Sequence, residues 1–161
     1  MEIYLLRHAA AEDGPPGMKD SDRALTPEGR EKLKRVLKRA RNADVKPDVI
    51  LSSPYRRALE TAEMAAEALG YRRKIVQTET LVPNASPYDV WQEVRSRRDE
   101  GAILLASHEP LMSATVALFL ANPGMLVDMK KSALVRVDVE RFGPEPHGIL
   151  KWMLTPALAG E

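Results

Sequence analysis

Cysteine is absent from the 161 residues. That excludes disulfides, thiolate metal sites and every cysteine nucleophile at once. Histidine is scarce, with three in the chain, so an all-histidine zinc site would consume the whole supply. An excess of either charge is also missing: 24 lysines and arginines against 23 acids leave a formal net charge of +1. Such a balance argues against a strongly basic nucleic-acid binder and against an acidic disordered tail. No apolar run approaches the roughly 18 residues of a membrane span. The opening Met1-Glu2-Ile3-Tyr4-Leu5-Leu6-Arg7 has too short an apolar core for a signal peptide. The expectation is a cytoplasmic protein with neither nucleic-acid nor membrane partners. Hydrophobic residues at 44% suffice to bury a core, and the length fits a single domain over residues 1–161.

Short apolar runs alternate with helical patterns. Ile3 to Leu6 reads as a strand, followed by the loop Gly14-Pro15-Pro16-Gly17, which can continue neither strand nor helix. Thr26-Pro27-Glu28 opens a helix with a hydroxyl cap and a first-turn proline; Leu33, Val36, Leu37 and Ala40 form its buried stripe. Val49 to Leu51 is a second strand, and the next helix carries Ala58, Ala62, Ala65 and Leu69 on one face and stops at Gly70. A weaker strand centres on Ile75-Val76, and Ser86-Pro87-Tyr88-Asp89 is a capping box before Val90, Trp91 and Val94. Ala102 to Ala106 has the continuous apolar character of a central parallel strand, and Pro110 to Leu120 that of a largely buried helix. Ala133–Val139 and Ile149–Leu154 close the chain as strands. The pattern predicts a three-layer α/β/α sandwich with a mostly parallel sheet of about six strands and one antiparallel strand at an edge.

In open sheets of this class, ligands bind beyond the carboxyl ends of the strands. Those ends hold Arg7-His8, Ser53-Pro54 with Arg56 and Arg57 just after, and Ser107-His108 with Glu109-Pro110. Two of the three histidines and three arginines therefore gather where a substrate would lie, beside two helix N-termini. This is an anion pocket suited to phosphate. A neutral imidazole there can attack phosphorus, while guanidiniums depress its pKa and stabilise the equatorial oxygens. No metal or other cofactor is needed for that chemistry.

Leu5-Leu6-Arg7-His8, then Ser52-Ser53-Pro54-Tyr55-Arg56-Arg57-Ala58-Leu59-Glu60-Thr61-Ala62, then Ser107-His108-Glu109-Pro110 resemble the motifs of the histidine phosphatase superfamily. The Arg7-His8-Ala9 opening and the closing Trp152-Met153-Leu154-Thr155-Pro156 look most like its SixA-type phosphohistidine phosphatases. The resemblance implies a metal-independent phosphatase with His8 as the phosphoryl-accepting nucleophile. It also implies that Arg7, Arg57 and His108 bind the phosphoryl group.

Two departures qualify the match. Ala9 stands where the wider superfamily usually has glycine. In the loop after the third strand, Leu81-Val82-Pro83 lacks the glutamate that serves many superfamily phosphomonoesterases as general acid, and Glu79 upstream is out of register. An alkoxide leaving group needs such an acid, worth roughly 10²- to 10⁴-fold. The nitrogen of a phosphoramidate is basic and can leave already protonated. The expected substrate is thus a phosphohistidine on a partner protein, and the 26 residues between Leu81 and His108 leave no material for a lid. The alternatives are a small-molecule phosphomonoesterase of the same superfamily and an inactive phosphate-binding module. Elsewhere the plain readings win: His147 is exposed, Arg56 lies on the rim, Trp91 and Trp152 are core, and the cations of the first helix form a solvated face. Asp20-Ser21-Asp22 follows a glycine-proline loop rather than a buried strand, so it is set aside as an aspartate-phosphatase motif.

Overall fold

The computed structural model of the protein describes residues 1–160. These form strands β1 (Glu2–Arg7), β2 (Val49–Ser52), β3 (Val76–Gln77), β4 (Ala102–Ser107), β5 (Leu134–Asp138) and β6 (Ile149–Leu154). The helices are α1 (Pro27–Asn42), α2 (Arg56–Leu69), α3 (Pro87–Arg95), α4 (Leu111–Phe119) and α5 (Pro156–Ala159). One sheet joins all six strands in the order β3-β2-β4-β1-β5-β6.

The helices start and stop where local chemistry requires. Thr26 accepts the Gly29 N–H at 2.9 Å and Pro27 takes the first turn of α1. Gly70 ends α2 in the left-handed conformation, φ 70°. Ser86 caps α3 through the Tyr88 N–H at 3.2 Å. The short α5, capped by Thr155, lies beyond the last element expected from the sequence.

Residues alternate across the sheet, and each face acquires its own core. Ile3 and Leu5 point to the side of α3 and α4, where Trp91 packs on Phe119 and Phe142. Tyr4 and Leu6 point to the side of α1, α2 and α5, with Leu33, Leu37 and Ala62. Every residue of β4 is buried, as expected of a central parallel strand covered on both faces. Trp152, by contrast, is only half-buried, its ring 6.0 Å from that of Tyr4.

The position of the antiparallel strand differs from expectation. β5 runs antiparallel to β1 and lies between β1 and β6, whereas the edge strand β6 is antiparallel to β5 and so parallel to β1. The connection from Asp138 to Ile149 contains no helix and is too short to cross over the sheet, so β6 must turn back beside β5.

Candidate active site

Strand register builds the site. Arg7 pairs with Ser107 across the parallel β1/β4 ladder, so the next residues, His8 and His108, emerge side by side from adjacent strands. The His8 N–H continues the ladder to the Ser107 carbonyl at 2.9 Å, and the Ser53 N–H does the same from β2 to the Ala106 carbonyl at 3.0 Å. The two imidazole centroids end 5.1 Å apart, with Tyr55 edge-on to His108 at the same spacing.

Each ring is hydrogen-bonded through one nitrogen. His8 Nδ1 lies 2.6 Å from the Ala9 carbonyl oxygen. A carbonyl only accepts, so Nδ1 carries the proton and Nε2 keeps its lone pair. Among the described residues nothing hydrogen-bonds Nε2, and it is not among the polar atoms sealed from solvent. His108 Nε2 lies 2.8 Å from Ser53 Oγ, which also accepts the Tyr55 N–H at 3.2 Å. Its Nδ1 is buried and has no hydrogen-bond partner among the described residues.

Burial sets the protonation of both rings. His8 is pushed down to about 4, chiefly by burial and then by the charges of Arg57 and Arg7, against the opposing bond to Ala9. His108 is pushed down to about 3, again by burial first, with His8 and Arg57 next. The sequence pointed to the guanidiniums as the depressing influence. They act in that direction, but removal from water is the larger cause.

The arginines are held by backbone. Arg7 donates to the Met129 carbonyl at 2.8 Å, and its buried Nε has no partner among the described residues. Burial lowers its pKa while Glu109 and Asp128 oppose that effect. Arg57 is buried on the first turn of α2 and donates to the Asp20 carbonyl at 2.8 Å and to Asp20 Oδ2 at 3.0 Å. Thr61, one turn on, donates to the Arg57 carbonyl at 2.7 Å and accepts the Ala9 N–H at 3.1 Å. One buried hydroxyl therefore ties α2 to the backbone beside His8. The Thr-Ala pair of the motif was the sequence signal for it.

The four residues singled out from sequence, Arg7, His8, Arg57 and His108, converge at the carboxyl ends of β1, β2 and β4. Arg56 instead faces outward and pairs with Glu60 at 3.1 Å, and His147 is exposed. Glu79 is exposed on a single 3₁₀ turn, residues Glu79–Leu81. Sequence reasoning missed Asp20 and Tyr55. Asp20 belongs to the site as a ligand of Arg57, its carboxyl held below the usual range by Arg23 and Arg57. Tyr55 packs between the Arg57 guanidinium, 5.2 Å from its ring centre, and His108. α2 begins at the site with no N-cap side-chain bond among the described residues, which leaves N–H groups and a dipole end there, whereas at the start of α4 the Glu109 carboxylate accepts the Ser113 N–H at 2.7 Å. Two neutral imidazoles and two guanidiniums around one crevice can bind a tetrahedral anion and attack it with a nitrogen lone pair.

Comparisons with known proteins agree with this geometry. Residues 3–82, which carry the first two motifs, match the model of the histidine phosphatase superfamily (branch 1). An uncharacterized protein of Picosynechococcus sp. is 31% identical over 139 residues, 84% of this chain and 83% of that one. The phosphohistidine phosphatase SixA of Escherichia coli is 27% identical over 159 residues, 97% of this chain and 94% of its own. The solved structure of a protein histidine phosphatase SixA in complex with tungstate superposes with a TM-score of 0.83 at 22% identity, covering 98% of both chains. Among the described residues no helix is long and apolar enough to cross a membrane. With the arginine-histidine pair closing β1, the second histidine beside it in register and the arginine on α2 facing both, the chain belongs to the histidine phosphatase superfamily, branch 1.

Proposed function

We propose that the protein is a phosphohistidine phosphatase acting on a phosphorylated histidine of a partner protein, with His8 as the nucleophile. The observation that carries this reading is the bond from His8 Nδ1 to the Ala9 carbonyl, which leaves the Nε2 lone pair free beside His108 and the two arginines. Nε2 attacks phosphorus in line with the departing nitrogen. The new N–P bond on His8 forms as the substrate's P–N bond breaks, and the leaving imidazole departs carrying its own proton. Water then attacks the phosphorylated His8 and releases inorganic phosphate. Arg7 and Arg57 take the charge on the transferring oxygens, and the buried His108 Nδ1 supports the same role as a third partner. The tungstate bound by the SixA of known structure is an oxyanion of the same shape, which supports assigning the crevice to a phosphoryl group.

Substrate choice follows from the acids. Glu109 accepts the Ser113 N–H at 2.7 Å, Asp20 is bound to arginines, and Glu79 is exposed on its turn. None is a free carboxylic acid beside His8, so nitrogen leaving groups are favoured over alkoxides. The test compares turnover of a phosphohistidine protein, a phosphohistidine peptide and common phosphate esters, with His8→Ala as control. Phosphohistidine is expected to be hydrolysed at least 10²-fold faster than the esters. An acid-labile phosphate should be trapped on His8. Equal efficiency on alkyl phosphates would favour a small-molecule phosphomonoesterase, and no turnover of any substrate would favour a phosphate-binding module.

A further inference from the structure

A groove of about 800 Å³ runs away from Arg7, between the first turns of α1 on one side and the 128–132 loop on the other, to the chain beyond β6. Its lining combines the apolar Met153, Pro156 and Ala157 with the cations Lys32 and Arg35 from α1 and Lys130 and Lys131 from the loop. Asp128 is the one acid in its lining. Lys32 pairs with Glu28 at 3.1 Å and Lys130 with Asp128 at 3.0 Å, but those carboxylates are 79% and 77% exposed and hold their partners weakly. Among the described residues Arg35 and Lys131 have no partner within ion-pair distance. The sequence favoured a solvated face for the cations of α1. The structure leaves those cations solvent-facing, and two of them, Lys32 and Arg35, three positions apart, line the same concave surface as the loop lysines.

We propose that this groove is the docking site for an acidic, amphipathic helix of the phosphorylated partner, the segment that flanks its phosphohistidine. The proposal rests on the phosphohistidine reading for what lies at the Arg7 end. Charge complementarity selects the occupant. A chain leaving the phosphoryl site along the groove must place carboxylates against the four cations and apolar side chains against Met153, Pro156 and Ala157. A helix with acids flanking an apolar stripe at three- and four-residue spacing meets both demands. A small phosphate ester would fill the Arg7 end alone and leave the cations beyond it unmatched.

Two peptides of equal length, each with one histidine beside a helical flank, test this. One flank is rich in glutamate and leucine, and the other replaces each glutamate with glutamine. Binding of the unphosphorylated peptides is read by fluorescence anisotropy, and kcat/KM is read on the phosphorylated ones. The acidic flank is expected to win by roughly tenfold or more in both measurements at low salt, an advantage that shrinks as salt screens the charges. Arg35→Glu combined with Lys131→Glu should abolish or invert that preference, and Lys131→Glu alone, on an exposed loop side chain, should reduce it. Arg72→Glu should preserve it, since Arg72 adjoins the Arg73 that binds the Asp48 carbonyl at the amino-terminal end of β2, away from the site. Equal binding of the two peptides, or a preference that survives the double substitution, overturns the proposal. If the acidic peptide binds preferentially but neither phosphopeptide is hydrolysed, the groove stands and the phosphohistidine reading falls. If both phosphopeptides are hydrolysed equally well, the reverse holds.

Discussion

Replacing His8 with glutamine should flatten the acid limb of the protein's stability curve. The folded chain holds this ring neutral, with its pKa pushed down to about 4, whereas the unfolded chain exposes it at the ordinary 6.5. Between those values the unfolded state binds a proton that the folded state refuses, so stability falls as pH falls. The contribution is fully present above 6.5, declines toward 4 and changes no further below. At about pH 4.5 the two binding curves differ by about 2.5 kcal/mol, a large share of the roughly 5–15 kcal/mol typical of a domain. His8 is only 7% exposed, so solvent screening reduces this little.

Urea unfolding of the wild type and His8→Gln at about pH 7 and about pH 4.5 gives the measurement. Carboxylates that titrate in both proteins cancel in the double difference, which leaves the imidazole. The wild type should lose about 2 to 3 kcal/mol more than the variant over that interval. His108 adds to the difference in the same direction, because His8 is one of the causes that depress it. Parallel curves, with a double difference below about 0.5 kcal/mol, would refute the claim that burial keeps His8 neutral. The same neutrality makes the lone pair available across the physiological range. The activity of the wild type should therefore stay level from neutral pH downward and fall only as pH nears 4.

Other substitutions probe the anion hole and the packing behind it. Arg57→Ala, which removes a buried guanidinium from the crevice, should lower kcat by roughly 10²- to 10³-fold in a steady-state assay while circular dichroism stays unchanged. Gly29→Ala would place a Cβ 2.5 Å from the Ala10 carbonyl oxygen, where helix and loop backbones meet. It should cost about 1 to 3 kcal/mol in thermal unfolding. Trp91→Ala would empty a fully buried site stacked on Phe142 and leave the Gly143 and Pro144 carbonyls without their shared donor. A loss of about 3 to 5 kcal/mol is expected in denaturant titration. Phosphatase activity should survive exhaustive treatment with a chelator, measured with and without added divalent cation. Abolition and rescue would show that arginines alone do not carry the charge.

Much of the site was legible in the sequence because its residues sit at the ends of strands that announce themselves. Ile3–Leu6 and Ala102–Ala106 are short apolar runs bounded by polar residues or glycine, the pattern of buried strands, and Arg7-His8 and Ser107-His108 follow them directly. Asp20 was not legible. Its neighbours suggest an isolated turn, and the contact that gives it a role spans 37 positions to Arg57. Tyr55 occupies a variable position within a recognisable motif, so nothing local distinguishes it from a surface aromatic. The place of the antiparallel strand also escaped, because strand order in a sheet depends on which edges remain free when the chain returns.

Local pattern and motif alone determined the alternation of strands and helices, the buried stripe of α1 and the choice of Arg7, His8, Arg57 and His108 as candidate site residues in a chain without cysteine. These depend on neighbours a few residues away. Tertiary structure decided the 5.1 Å approach of the two rings, the tautomer set by the Ala9 carbonyl, the capture of Arg57 by Asp20 and the cationic groove beyond Arg7. Each of these needs groups from distant parts of the chain brought together and removed from water. Desolvation and register are properties of the packed sheet, and no segment possesses them by itself.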